Sequence, residues 1–600
     1  MLYIYPFQLK MQQPQDFYNK ELKDLALQLS KINSKITFIR ILRLLVFLGF
    51  SLGVYLTFYQ PFTPFIIGFI GILLFAFLVI QHQQVKEKRT ILQLKKDNNQ
   101  LEIDVLNGHF EFLPEGTEFT SSTHYYSNDI DLFGNGSFFQ YINRTATTNG
   151  KKLLASLLTS NSISFIEEKQ KALKELSEKI HWRQHFTSLA HLVSSTTQES
   201  LVITKWLTNY ESKLTSSLKW ISMFFSSISI ALIVLLVFSA IPFSVVLIWF
   251  FIGLTISALH IKKTQHIYTS SSKVKDTFKQ YYLLLEQIEK ETFTSALLKE
   301  KQQKIATKTK KASVIFKEFS KILDTFDQRN NIVIAIIGNG LFLWDITLAI
   351  RVEKWILSYK ETTDEWFSVV NFFDAYNSFA NFVFNHPTFT FPTLQNENNG
   401  IIAQHLGHPL LKSSKRVDND FTISKGQFFI ITGANMAGKS TFLRTVSLSI
   451  VMANCGLPVC ASNYQYTPIK LITSMRTSDS LTEDESYFYS ELKRLKFIVD
   501  TIETDRYFII LDEILKGTNS KDKASGSRKF VEKLTRSKST GIIATHDVSL
   551  CELANEYPQI LNYYFDAEIM NNELFFDYTI KSGTCKNMNA SFLLKKMEIV

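Results

Sequence analysis

Phe428-Phe429-Ile430-Ile431-Thr432-Gly433-Ala434-Asn435-Met436-Ala437-Gly438-Lys439-Ser440-Thr441 decides how this chain is read. A short apolar run, a loop opened by Gly433 and closed by Gly438-Lys439-Ser440, and a helical pattern from Thr441 predict strand, phosphate loop and helix. The spacing satisfies G-x-x-x-x-G-K-[ST] in full. Glycines let the backbone curl until its N–H groups face a phosphate chain, and the following helix adds the positive end of its dipole. Lys439 is placed to reach the β- and γ-phosphates, and the Ser440 hydroxyl to bind Mg²⁺. Gly433, Ala434, Asn435, Met436, Ala437, Gly438, Lys439, Ser440 and Thr441 are therefore the candidate nucleotide-binding residues.

Downstream, Tyr507-Phe508-Ile509-Ile510-Leu511-Asp512-Glu513 reads as a buried strand ending in two acids. Asp512 is placed to join Ser440 in the Mg²⁺ shell, and Glu513 to polarise an attacking water. Gly541 to Asp547 predicts another strand, ending at His546, which is either a γ-phosphate sensor or a structural histidine. Between the loop and the acidic strand, Asp479-Ser480-Leu481 and Glu483 to Phe488 run into a charged helix. A two-site enzyme would place its partner-facing element there. Taken alone, the same residues also read as an acidic helix start favoured by the dipole.

Upstream the chain changes character. Of its 600 residues 46% are hydrophobic and 51 are Phe, much of it in long apolar runs that point to membrane. Ile41 to Tyr59 and Phe62 to Ile80 predict a transmembrane hairpin around Gln60-Pro61. Residues 221–240 and 245–260 predict a second, around Ile241-Pro242-Phe243-Ser244. The spans are about 16 to 20 residues, at the short end of what crosses the hydrocarbon layer. Lys and Arg on both sides of each hairpin put all the ends in the cytoplasm. Residues 331–350 are apolar too, but Asn339 and Asp345 would be costly in lipid, so a buried soluble helix is expected there, with a fifth span as the alternative. Residues 264–330 read as long, basic, helix-periodic segments without Pro or Gly. After Asn396, short apolar runs alternate with helices, the pattern of a parallel sheet with crossover helices.

The formal net charge of +10 allows attraction to nucleic acid or to anionic lipid and does not choose between them. Four cysteines, Cys455, Cys460, Cys551 and Cys585, show no paired metal spacing, so reduced thiols are the default.

The motifs together resemble the MutS family. Thr432 to Thr441, with Asn435-Met436 inside the loop, is similar to its P-loop. Leu511 to Thr518 looks like its Walker B followed by a Gly-Thr turn, and Ala544-Thr545-His546 like its switch histidine. Asp479 to Leu481 with Ser486, Tyr487, Phe488 and Glu491 resembles its D-x-L…S-x-F…E element, and Gly407-His408-Pro409 the start of its ATPase domain. Arg144-Thr145, Thr147, Gly150, Arg329-Asn330 and Trp344-Asp345 resemble its helical core more weakly.

The resemblance implies an ABC-type ATPase using ATP and Mg²⁺, with Lys439, Glu513 and His546 as catalytic groups and Ser440 and Asp512 at the metal. It also implies a homodimer in which Ser486 of one chain contacts the nucleotide of the other, and lever helices that clasp DNA. The organisation expected is a transmembrane hairpin over 1–106, an all-α core and lever region carrying the second hairpin over 107–395, and an α/β ATPase domain over 396–600. The family's N-terminal mismatch-reading domain has no counterpart in the first hundred residues, which form a hairpin instead. Two functions are carried forward: a multi-pass inner-membrane ATPase, cytoplasmic at its catalytic end, that clamps DNA; or one that moves its spans or an unknown protein partner without DNA. A transporter of the usual kind is disfavoured, because no Leu-Ser-Gly-Gly-Gln element occurs.

Overall fold

The computed structural model describes residues 13–193, 200–307, 310–395, 399–434, 436–476, 487–515, 519–570 and 573–585. Helices α1 (Pro14–Leu56) and α2 (Thr63–Leu106) form an antiparallel hairpin of 43 and 44 residues. Pro14 starts α1 with Asp16 in its first turn, and Phe62 at φ 66° reverses the chain into α2. The sequence suggested charged helices flanking separate spans. The structure instead continues each apolar run into its charged segment, because no residue between 37 and 41 or between 80 and 86 breaks a helix. Each rod is about 65 Å long, twice the hydrocarbon thickness. The apolar halves are exposed, as at Phe47 and Phe69, while the far ends dock on the helical core. There Tyr18 donates to Asn385 Oδ1 at 2.8 Å, and Glu102 pairs with Arg144 at 2.6 Å.

Further helices used below are α3 (Ile180–Leu192), α4 (Ser216–Val237), α5 (Phe243–Leu259), α6 (Ile332–Phe342), α7 (Trp344–Tyr359) and α8 (Thr363–Asn385). The second apolar pair, α4 and α5, is held by Phe225 stacked on Trp249 at 4.4 Å and by Trp249 Nε1 donating to Ser229. By length and composition α1, α2 and α4 are each able to cross a membrane, and two bent pairs, one beginning with α5 and the other α6 with α7, raise the number to five.

The buried soluble helix expected over 331–350 is not found. Helix α6 is a short apolar helix with Ile332 74% exposed and Val333 64% exposed. It packs on α5, where a Cβ on Gly253 would stand 2.2 Å from the Gly340 carbonyl oxygen. At Leu343, φ 46°, the chain bends by 83° into α7, which is buried in the core. Asn339 and Asp345 both serve this corner. Asp345 N–H donates to Asn339 Oδ1 at 3.0 Å, and Arg329 pairs with the Asp345 carboxylate at 3.0 Å.

The long helices expected over 264–330 are also replaced, by four shorter ones: Ile261–Ser272, Lys275–Lys290, Ala296–Gln303 and Ala312–Asp327. Polar stretches such as Thr294-Ser295 end them, and Glu175 accepts both of those backbone N–H groups at 2.7 Å. Their apolar faces fold inward around Phe278, Phe319 and Trp355.

The C-terminal region has a six-stranded sheet. Its strands are β1 (Phe428–Gly433), β2 (Lys470–Ser474), β3 (Tyr507–Asp512), β4 (Thr540–Ala544), β5 (Ile560–Phe565) and β6 (Ile580–Ser582). The order is β6-β5-β1-β4-β3-β2, parallel except at β6. Every residue of β1 and β4 is buried, as expected of strands covered on both faces. A second, four-stranded sheet, mostly antiparallel, joins 393–394, 463–466, 401–406 and 419–423. The alternating pattern did not separate it from the parallel sheet.

Candidate nucleotide site

The first parallel strand, β1, lies between β4 and β5, and ligands of such sheets bind beyond the carboxyl ends of the strands. The loop that leaves β1 turns there into helix α9 (Lys439–Asn454). Gly433 has φ 147°, and a Cβ on it would stand 2.5 Å from the Phe565 carbonyl oxygen, so strand pairing leaves no room for a side chain. Gly438 at φ 107° makes the second turn. Met436, also left-handed at φ 67°, is exposed, and Ala437 is buried beneath the loop. Ala434 and Thr441 bracket the loop, with the Thr441 carbonyl already inside α9 accepting from Thr445.

Lys439 is buried and its Nζ donates to the carbonyls of Gly433 and Ala434, at 2.7 and 2.9 Å. Burial pulls its ammonium below the ordinary lysine range, and the nearby Asp512 and Glu513 carboxylates oppose that shift. Ser440 Oγ donates to Asp512 Oδ2 at 2.8 Å. Glu513 sits at φ 51° just past β3; its N–H donates to Ala544 O at 2.9 Å, which fixes the carboxylate at the sheet's edge. His546 Nε2 lies 3.0 Å from Glu513 Oε1. The structure thus joins Lys439, Ser440, Asp512, Glu513 and His546 at one end of the sheet. Asn435 and Ser486 lie outside the described residues, as do 477–485 and Lys516 to Thr518.

Among the described residues no group of three His, Cys, Asp or Glu side chains converges. The donors present, a hydroxyl and a carboxylate oxygen, suit Mg²⁺, which keeps waters and shares phosphate oxygens rather than filling an all-protein cage.

Sequence reasoning missed two features. A cavity of about 240 Å³ beside Gly438 and Thr441 is walled by Leu406, His408, Leu411, Phe442 and Tyr578. Burial and the Arg444 and Arg416 charges push the His408 imidazole down to about 4, so it stays neutral. Gly407-His408-Pro409 was the only signal for this cavity. The second feature is the loop 125–131, which clips the site to the core. Asp131 pairs with Arg444 on α9 at 3.1 Å and with Arg476 at 2.5 Å. Asp129 accepts from Arg476 N–H at 2.9 Å. The Tyr125 carbonyl accepts from Arg494 at 2.7 Å, on helix α10 (Tyr487–Thr504).

The family model for MutS domain V matches residues 429–596. The chain is 31% identical over 233 residues to the DNA mismatch repair protein MSH4 of Arabidopsis thaliana, 37% of this chain and 28% of that protein. It is 30% identical over 203 residues to the human MutS protein homolog 4, 32% of this chain and 21% of that one. The DNA mismatch repair protein MutS of Staphylococcus haemolyticus is 27% identical over 274 residues, 44% of this chain and 30% of its own length. The chain therefore spans less than a third of each of these relatives.

Proposed function

We propose that this chain, which belongs to the MutS family, is a membrane-embedded ATPase that binds and hydrolyses ATP as a homodimer and clamps DNA. The observation that carries the reading is the convergence of Lys439, Ser440, Asp512, Glu513 and His546 at the ends of β1, β3 and β4. Lys439 exchanges its loop carbonyls for the β- and γ-phosphates. Ser440 and Asp512 would hold Mg²⁺, whose charge would offset that developing on the phosphoryl oxygens. Glu513, anchored through its own N–H and steadied by His546, orients the attacking water. The cavity beside His408 takes the nucleotide base. Ser486 of the second chain closes the site.

The units are 1–106 as a hairpin anchor, 107–395 as the helical core and 396–600 as the ATPase domain. The exposed apolar halves of α1, α2, α4 and α5 support a multi-pass place in the inner membrane, with the ATPase domain cytoplasmic. The net charge of +10 and the printed names of the relatives support DNA as the partner. A second reading, in which turnover moves the spans or a protein partner, is favoured by α6, which joins the second hairpin directly to the core helix α7.

Binding of the detergent-purified full chain to homoduplex, mismatched and branched DNA, with and without ATP and across salt, separates the two. The first reading expects affinity that falls steeply with salt and responds to ATP, the response being lost in Lys439→Ala. A flat result for every DNA favours the second.

A further inference from the structure

Some 30 Å beyond the apolar end of α2 at Ile80, about twenty residues along the rod, α2 meets α3 and α8 around a cavity of about 230 Å³. Most of the residues that line it are polar in type, with Leu101, Leu113 and Pro114 among them. Glu102 and Asn98 come from one face of α2, Arg183 from α3, and Asn377 and Asn381 from successive turns of α8; Arg144 enters from the loop before residue 148.

Two guanidinium groups face this space and only one carboxylate. Glu102 is committed. It accepts from Arg144 at 2.6 Å and from Asn385 at 2.8 Å. Arg183 is 3% exposed and makes no ion pair among the described residues. It donates to the Leu176 carbonyl at 2.8 Å, to Asn381 Oδ1 at 3.0 Å and, at 3.4 Å, to the Ser177 carbonyl. Those acceptors are neutral, and each terminal guanidinium nitrogen keeps an N–H in hand. A buried charge whose direct hydrogen-bond partners are all neutral is costly, and the nearby Glu102 carboxylate, already bonded to Arg144 and Asn385, offsets only part of that cost. Burial draws this guanidinium down to about 10.

A second observation is independent of the charge. Asn377 is 5% exposed, and neither its Nδ2 nor its Oδ1 meets a partner among the described residues. The Nδ2 of Asn98, across the cavity, is likewise unpartnered. Native interiors pair nearly all such groups. Unspent amide donors and a guanidinium with no direct ionic partner converge on this one space, and acceptor oxygens carrying negative charge would match both.

We infer that this cavity binds a small dissolved oxyanion of the phosphate or carboxylate class, held by Arg183, Asn377 and Asn98. Its distance from the apolar run puts a lipid headgroup out of reach, so the ligand comes from solution. Occupancy joins α2 to α3 and α8, and so fixes the long rod to the helical core.

The test uses the full chain in detergent carrying Lys439→Ala, which removes phosphate binding at the nucleotide loop. Orthophosphate, pyrophosphate and citrate serve as probes, followed by calorimetry and by the melting temperature. At least one probe is expected to bind once per chain and to raise Tm. Adding Asn377→Leu should weaken that binding at least about tenfold. The same change should leave the ligand-free Tm equal or higher, because an apolar side chain replaces an orphaned amide. Arg183→Met should abolish the shift as well. Three outcomes overturn the proposal: no probe binds; the shift survives Asn377→Leu; or Asn377→Leu lowers the ligand-free Tm, as loss of a purely structural amide would.

Discussion

Asp374 shows how much the helical core spends on positioning one loop. Its carboxylate, 1% exposed, accepts from Ala146 N–H, Thr147 N–H and the Thr147 hydroxyl at 3.0, 2.8 and 2.6 Å. A Cβ on Gly150 would stand 2.1 Å from the Asp374 carboxylate, so the residue there has to be glycine. Burial pushes the carboxyl up to about 6 from its ordinary 3.8, and the three donors pull only part of the way back. The folded state therefore holds this proton more tightly than the unfolded chain. The resulting stabilisation is complete below the unfolded value and is lost as pH rises through the folded one. Between about pH 4 and pH 6, the unfolding free energy of the wild type minus that of Asp374→Asn should fall by about 3 kcal/mol. A difference that stays flat with pH would refute this account of the loop. The sequence displayed Thr147 and Gly150 but not their partner, which is 227 residues away. Lys439, Ser440 and Asp512 were legible because fixed spacing and a strand-end position define them. The contact of Glu513 with His546 was not, since it depends on β3 and β4 lying side by side.

At the scale of elements, hydropathy located the apolar runs well and their continuations poorly. A charged turn does not end a helix, so α1 and α2 run on as single rods. Helix α6 was misread for a definite reason. Asn339 and Asp345 looked like polar residues in mid-span, yet they build the corner at Leu343 with Arg329. Polar groups that pair at a break, even in part, carry less of the cost they would have alone in lipid. The shortened helices over 261–327 follow from capping by distant residues such as Glu175, which periodicity does not reveal. The topology itself is open to test. Reporter tags at Gln60, in the first turn, and at Ser244, in the first turn of α5 just past the second reversal, should both read as external, with a tag at Lys360, beyond α7, internal. Cytoplasmic signal at both turns would remove the hairpins as spans.

Across the whole molecule, one chain joins the α/β region with its candidate nucleotide site to helices that bear exposed apolar faces. The path is covalent and ionic at once. Asp131 ties α9 and Arg476 to the loop that follows α2, and the charge of Arg444 on α9 also acts on His408 in the cavity beside the phosphate loop. Motifs in the region that matches MutS domain V were readable because phosphate chemistry restricts residue types at short range. The four-stranded sheet and the Asp131 clip depend on pairings across long separations and carry no such signature. What stands above these details is the claim that Glu513 directs water at a bound nucleotide. The decisive measurement is ATP binding and ATP turnover of the reconstituted full chain, wild type beside Glu513→Ala. The account predicts that the variant still binds ATP while its turnover falls at least about a hundredfold; turnover undiminished in Glu513→Ala would contradict it.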